Sequence, residues 1–230
     1  GLPFITVGLP FHPNENGFPI GGLYSKVVRS ATYDPATKRA INAICDGGVK
    51  DHIGGADVPC ASAPMLFFGT ITPQVSGAVN SSFSFRRWLK LHAMADFRKN
   101  YKVFDANMFN RCGGFGLCEG NVSPETIDPK VLYTYQNASS LTVTDAFIKN
   151  GNFWRLRELS ATLIAPEAWA SRANASALSL TIGGRNLHTW TPYTGLDPES
   201  RSSIGTQNIA FDQAVTPLLM QFVTTLSITF

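Results

Sequence analysis

Four cysteines, four histidines and a glycine cluster are the residues in this sequence whose types could do chemistry. The cysteines fall into two near pairs, Cys45 with Cys60 and Cys112 with Cys118, each in a Gly-, Asn- and Asp-rich stretch that reads as a loop. In an exported protein that pattern predicts two loop-stapling disulfides, with four free thiols as the alternative. No CxxC is present, and His52 and His92 lack ligand spacing, so no metal site is expected. Gly113-Gly114-Phe115-Gly116 superficially resembles a phosphate loop, but it sits between two cysteines and no helix is expected after it. A loop tied by a disulfide is the better reading. His92 and Asp96 share a strand face, where a solvated polar pair is expected rather than proton chemistry. No nucleophile elbow, zinc-protease helix, nucleotide loop or calcium loop occurs. No catalytic residue, cofactor or metal is therefore expected, and the chain does not read as an enzyme.

What these residues sit on is set by strand-like alternation. From Val75 the apolar positions Val75, Val79, Phe83 and Phe85 recur on one face with Gly77 and Ser81, while Ser76, Ala78, Asn80, Ser82 and Ser84 occupy the other. After Arg86-Arg87-Trp88 the alternation resumes, with Leu89, Leu91, Ala93, Ala95 and Phe97 against Lys90, His92, Met94, Asp96 and Arg98. Two strands so closely joined predict an antiparallel hairpin. Residues 153–163 and 177–190 read as two further strands, and the connection 166–176 as room for a turn of helix. The pattern of the first weakens toward Arg155 and Arg157, where that strand is expected to leave the sheet's apolar environment. Residues 218–230 carry the strongest alternation, ending at Phe230. A membrane helix there is disfavoured by its Ser and Thr content and its period of two.

Composition points the same way. Hydrophobic residues make up 44% and charged residues only 15%, well under the roughly 25% charge of globular proteins. The mean hydropathy of +0.01 is too polar for a bundle of membrane helices. Alternating lipid-facing and interior positions average to such a value in a membrane barrel. A net charge of +3, unclustered, gives no argument for nucleic acid. Strands of about ten residues suit a tilted membrane crossing better than a soluble sheet. Long irregular segments, 34–63, 99–140 and 191–212, alternate with short connections, as turns and outer loops do in outer-membrane barrels. The fold class expected is all-β, a transmembrane antiparallel β-barrel segment with long extracellular loops. About six to eight strands can be placed, and so much loop suits a larger barrel of about 22 strands enclosing a plug. The start at Gly1, without Met or signal peptide, predicts a processed chain or a piece of a longer one.

The segment Phe153-Trp154-Arg155-Leu156-Arg157-Glu158-Leu159 is followed by Gly184-Arg185-Asn186-Leu187-His188-Thr189-Trp190-Thr191, Tyr193, Gly195 and Asp197-Pro198-Glu199. This series resembles the C-terminal signature of SusC/RagA-type TonB-dependent transporters, in which an LRLR strand leads to a GxNLxTxTxYxGxDPE return and a last strand ending in Phe. The signature positions are Arg155, Arg157, Gly184, Asn186, Leu187, Tyr193, Gly195, Asp197 and Pro198. Upstream, Phe68-Gly69-Thr70-Ile71-Thr72-Pro73 and Tyr101-Lys102-Val103-Phe104 resemble the strand and exit that precede it in the family. The likeness covers residues 65–230 and extends more weakly, through Val7-Gly8 and Pro19-Ile20-Gly21-Gly22-Leu23-Tyr24, to residues 1–64.

The resemblance implies that residues 1–230 are the C-terminal part of a TonB-dependent receptor barrel, its plug and TonB box lying outside this chain. It implies import of glycans, peptides or similar oligomers with a SusD-like surface lipoprotein. The partners implied are membrane lipid and lipopolysaccharide, the rest of the barrel and plug, the TonB complex and the barrel-assembly machinery. Phe222, Leu226, Ile228 and Phe230 match the terminal signal that such machinery reads, an edge strand able to pair by β-augmentation. The location implied is the outer membrane, with loops outside and the C-terminus in the periplasm. Phe153, Trp154, Trp169, Trp190 and Tyr193 are expected in the aromatic girdles rather than as sugar-stacking platforms. The competing reading is a structural or interaction module that forms a surface assembly without transport.

Overall fold

The computed structural model describes residues 21–199, 202–204, 207–209 and 211–230; the resemblance at Val7-Gly8 and Pro19-Ile20 lies outside them. The strands are β1 (Gly22–Ser25), β2 (Val28–Asp34), β3 (Arg39–Asp46), β4 (Asp57–Pro59), β5 (Leu66–Thr70), β6 (Val75–Phe85), β7 (Leu89–Lys99) and β8 (Lys102–Phe104). They continue with β9 (Ile148–Asn150), β10 (Phe153–Ile164), β11 (Ala177–Trp190), β12 (Ser202–Ile204), β13 (Gln207–Ile209) and β14 (Gln221–Thr229). The chain divides into two compact units: Gly1–Pro73 with Asn100–Gly151 and Tyr193–Thr216, and Gln74–Lys99 with Asn152–Pro192 and Pro217–Phe230.

The second unit is one open antiparallel sheet in the order β14-β11-β10-β7-β6. The hairpin expected at residues 75–98 forms, with Arg86 in the left-handed region (φ 51°) closing its turn. Pro166 ends the β10 arm. A helical turn, Glu167–Ala170, and a left-handed Asn174 (φ 52°) lead the chain back into β11. β10 covers the expected 153–163 run. It runs on to Phe153 through a bulge, the register slipping between Leu156 and Glu158 against both neighbours. One extra residue shifts the parity, so that beyond it the even-numbered Leu156 and Trp154 take the face held before by Leu159, Ala161 and Leu163, which is why the plain alternation broke there. β14 is shorter than the run 218–230, beginning at Gln221.

The first unit holds the buried apolar clusters. The larger packs Leu23, Phe104, Cys112, Tyr135, Phe147 and Phe211, with the rings of Phe109, Phe147 and Phe211 lying 5.5, 6.2 and 5.5 Å from Phe104. The smaller packs Val28, Cys45, Cys60, Ala63 and Val143. Around them β1 pairs with β5, β8 with β9, β12 with β13, and β2-β3-β4 form a three-stranded sheet. Residues 34–63 are thus not irregular, since β3 and β4 lie within them. Left-handed Asn42 (φ 52°) interrupts β3 and hides its period. Residues 99–140 hold helices, the longest Pro129–Asn137, begun by Asp128, whose carboxylate accepts from the Lys130 amide at 3.0 Å.

Candidate functional site

Antiparallel partners project to the same side of a sheet, so the register assigns each side chain of the five-stranded sheet to a face. Phe85, Leu89, Leu163, Leu180 and Leu226 form one row across all five strands. Phe83, Leu91, Ala161, Ile182 and Thr224 form the next, and Ser81, Ala93, Leu159, Gly184 and Phe222 the third. Further along, Gly77, Phe97, Trp154 and Trp190 end the band in aromatics, the Phe97 and Trp154 rings 4.4 Å apart. The opposite face carries Ser84, Lys90, Thr162, Thr181 and Thr225, then Ser82, His92 and Ser160, then Asn80, Glu158, Arg185 and Gln221.

The apolar face is exposed. Leu159 is 50%, Ile182 54%, Leu226 61% and Phe222 78% open. An apolar surface running over five strands is far larger than soluble monomers present. From Trp154 to Leu163 the strand rises about 30 Å at ~3.3 Å per residue; tilted by about 40°, that covers ~23 Å, close to the ~25 Å apolar band of outer-membrane barrels.

Several groups on the polar face pair with one another. Arg157, the bulged residue, donates to both Asp96 carboxylate oxygens at 2.8 Å. Thr162 and Thr181 share a hydrogen bond of 2.8 Å, and Ser82 meets His92 Nδ1 at 3.1 Å. His92 and Asp96 thus have different partners, Ser82 and Arg157. Arg155 is buried, its guanidinium 5.4 Å from the Phe153 ring centre.

The signature residues divide between the two units. In the sheet, Leu187 lies over Gly184 where any β-carbon would collide with it. Asn186 takes a left-handed turn (φ 51°) and donates to the Leu219 carbonyl at 3.3 Å, forming the β11 side of the bulge. In the first unit, Tyr193 donates its hydroxyl to buried Asp212 at 2.8 Å, and the Leu196 amide reaches the same oxygen at 2.9 Å. Asn107 donates to the other oxygen of Asp212 at 3.1 Å. Gly195 packs so closely on the Tyr193 ring that a side chain would strike the phenol. Asp197 caps the Glu199 amide at 2.9 Å, and the Pro198 carbonyl accepts from the Tyr101 hydroxyl at 2.9 Å. Burial, then the carboxylates of Asp105 and Asp212, push the Tyr193 hydroxyl well above its ordinary pKa, so it remains a donor. These positions hold backbone shape rather than present reactive groups, a role the motif spacing did not reveal. The terminal residues Phe222, Leu226 and Ile228 share the apolar face, and Phe230, 86% exposed, lies just past β14.

Cys45 and Cys60 form the expected disulfide. Cys112 and Cys118 do not; both are buried thiols. Cys112 lies within a wide helical turn, Phe109–Gly114, packed in the larger cluster, and the Cys118 thiol donates to Asn121 Oδ1 at 2.8 Å. Gly113 and Gly114 therefore end that turn, with Phe115 and Gly116 just beyond it, the run is not a loop tied by a disulfide, and a short helix, Glu119–Val122, follows. Burial, with the neighbouring Cys118, raises the Cys112 pKa to about 11. Sequence reading also missed Asp46. Its buried carboxylate accepts from the Gly48, Gly54 and Gly55 amides at 2.7, 2.8 and 2.8 Å and from Arg29 at 2.7 Å. Burial alone would raise its pKa, but these donors outweigh it and lower it to about 2. The glycine pairs at 47–48 and 54–55 were the available signal.

No family model matches the chain. Over 58 residues it is 33% identical to TonB-dependent receptor P3 of Formosa agariphila, a stretch amounting to 25% of this chain and 6% of that protein. In fold it is similar to the RagAB peptide importer in its closed-closed state, with a TM-score of 0.65 over 90% of this chain, 23% of that chain and 17% identity. The open-open state gives 0.62 over 98% and 25%, at 16% identity. The chain thus spans about a quarter of the solved chains it matches. In motif the chain resembles SusC/RagA-type TonB-dependent transporters, over a short stretch of sequence it is similar to a TonB-dependent receptor, and in fold it is similar to the RagAB importer.

Proposed function

We propose that this chain is wall of an outer-membrane importer. In this reading residues 1–230 form the C-terminal part of a barrel of about 22 strands around a plug. The observation that carries it is the exposed apolar face shared by β6, β7, β10, β11 and β14, backed by a polar face of Ser, Thr, Asn and charged residues. One face meets lipid and lipopolysaccharide, the other the plugged interior. β14, with Phe222, Leu226, Ile228 and Phe230, presents a free edge to the assembly machinery and then closes the barrel, its end in the periplasm. The cargo class is an oligomer such as a peptide or glycan, taken up with a SusD-like lipoprotein and TonB-driven energy. The likeness to a peptide importer and to a TonB-dependent receptor supports this class.

The test is fractionation of the whole protein that carries this segment. It is expected in the outer-membrane fraction, passing wholly to the detergent phase, and migrating faster on gels unheated than boiled. A protein that stays in solution without detergent overturns the reading.

A further inference from the structure

One end of the five-stranded sheet gathers cations and aromatic rings that the wall reading does not use. The β6–β7 turn contributes Arg86, Arg87 and Trp88, and the β10–β11 connection contributes Trp169 and Arg172, all exposed. Backbone bonds hold these segments to the same end. The Ile164 amide donates to the Trp88 carbonyl at 2.8 Å, Ala165 to Leu178 at 2.8 Å, and Ser176 to Thr229 at 2.7 Å. Arg86 lies 5.5 Å over the Phe85 ring, which meets Trp88 edge-on at 5.9 Å. Among the described residues none of the three arginines enters a salt bridge. Across the two connections, 86–88 and 165–176, three arginines face one carboxylate, Glu167, leaving two positive charges in excess.

Unpaired guanidiniums directly beyond an apolar band occupy the depth at which a bilayer places its phosphates. Guanidinium binds phosphate oxygens in a fork, and Trp rings settle at the boundary between headgroups and chains. We propose that this end binds the headgroups of anionic glycerophospholipids, with Arg86, Arg87 and Arg172 as phosphate ligands and Trp88 and Trp169 seated beside them. The inference rests on the membrane-wall reading and adds to it a lipid class, and with that class the leaflet this end faces.

The experiment uses the whole protein purified in detergent and reconstituted into discs of phosphatidylcholine with a graded fraction of phosphatidylglycerol, reading bound lipid by native mass spectrometry. Phosphatidylglycerol is expected to be enriched at least about fivefold over phosphatidylcholine, and R86Q/R87Q/R172Q to abolish that enrichment while gel migration of the unheated protein stays unchanged. Inorganic phosphate in millimolar amounts is expected to leave the enrichment intact. Equal retention of both lipids, enrichment that survives the triple substitution, or displacement by free phosphate overturns the inference. A protein that inserts into pure phosphatidylcholine discs yet shows no lipid preference overturns it alone. One that never enters discs overturns the wall reading, and this inference with it.

Discussion

Arg157 grips both carboxylate oxygens of Asp96 at 2.8 Å, and it does so from the extra residue of a bulge. A strand residue in register has a directly opposite partner; Arg157 has none on β7, because Leu156 faces Ala95 and Glu158 faces Met94. The bulge thus places a second arginine beside Arg155 over one stretch of the polar face without turning the apolar face over.

Arg157→Ala leaves Asp96 half-buried without its fork. The substitution is expected to lower unfolding stability by about 1–3 kcal/mol, the usual cost of stranding a charged hydrogen-bonding group. A double-mutant cycle with Asp96→Ala, followed by urea titration, is expected to return a coupling of at least ~1 kcal/mol. Additive losses would show that the pair contributes nothing jointly.

Gly195→Ala is expected to destabilise the first unit by about 1–3 kcal/mol, because the added methyl meets the Tyr193 phenol. Tyr193→Phe removes one of the two donors to an Asp212 oxygen, leaving the Leu196 amide, and is expected to cost about 1 kcal/mol. Protease susceptibility of the segment 193–199 checks both. Unchanged cleavage would remove the shape-holding role assigned to these signature positions.

Asp46 makes a statement about pH. Its pKa in the folded protein, about 2, lies below the ordinary carboxylate value. The stabilisation is therefore complete above about pH 4 and is lost as pH falls through about 2. Amide exchange at Gly48, Gly54 and Gly55 is expected to speed up, after correction for intrinsic rates, across that window. Asp46→Asn is expected to flatten the response. An unaltered profile in the variant would assign the loop's stability to other groups.

The cysteines differ in a way that alkylation reads by mass. Without reductant, the denatured protein is expected to take two adducts, on Cys112 and Cys118, and four after reduction. Cys45→Ser is expected to cost about 3 kcal/mol, from the loop that the 15-residue separation closes. No adducts before reduction would mean that the second pair is also oxidised.

The sheet was readable from sequence where its period of two is unbroken. Phe83, Phe85, Leu89 and Leu91 fall on one face in the string and in the fold. It was unreadable where one residue shifts the parity, at Arg157, or a left-handed residue turns the chain, at Asn42 and Asn186. Asp128-Pro129 is a helix-start signal that identifies Pro129–Asn137 in hindsight, but nine residues with mixed polarity give too little period to stand out. The polar knot was out of reach for another reason. Asp212 takes its donors from Tyr193, Leu196 and Asn107, and no spacing rule connects residues so far apart in the chain. Cysteine spacing, likewise, cannot tell two neighbouring thiols from a bridge.

The two faces of the sheet are expected to meet different surroundings. Leu159 and Ser160 are adjacent on β10, the first on the apolar face and the second on the polar one. The most direct measurement is the folding free energy of the whole protein into bilayers for Leu159→Arg and for Ser160→Arg. Leu159→Arg is expected to cost about 2–4 kcal/mol, as a cation held at mid-bilayer does, and Ser160→Arg under about 1 kcal/mol. Equal costs, or a larger one at Ser160, would contradict the assignment of the apolar face to lipid.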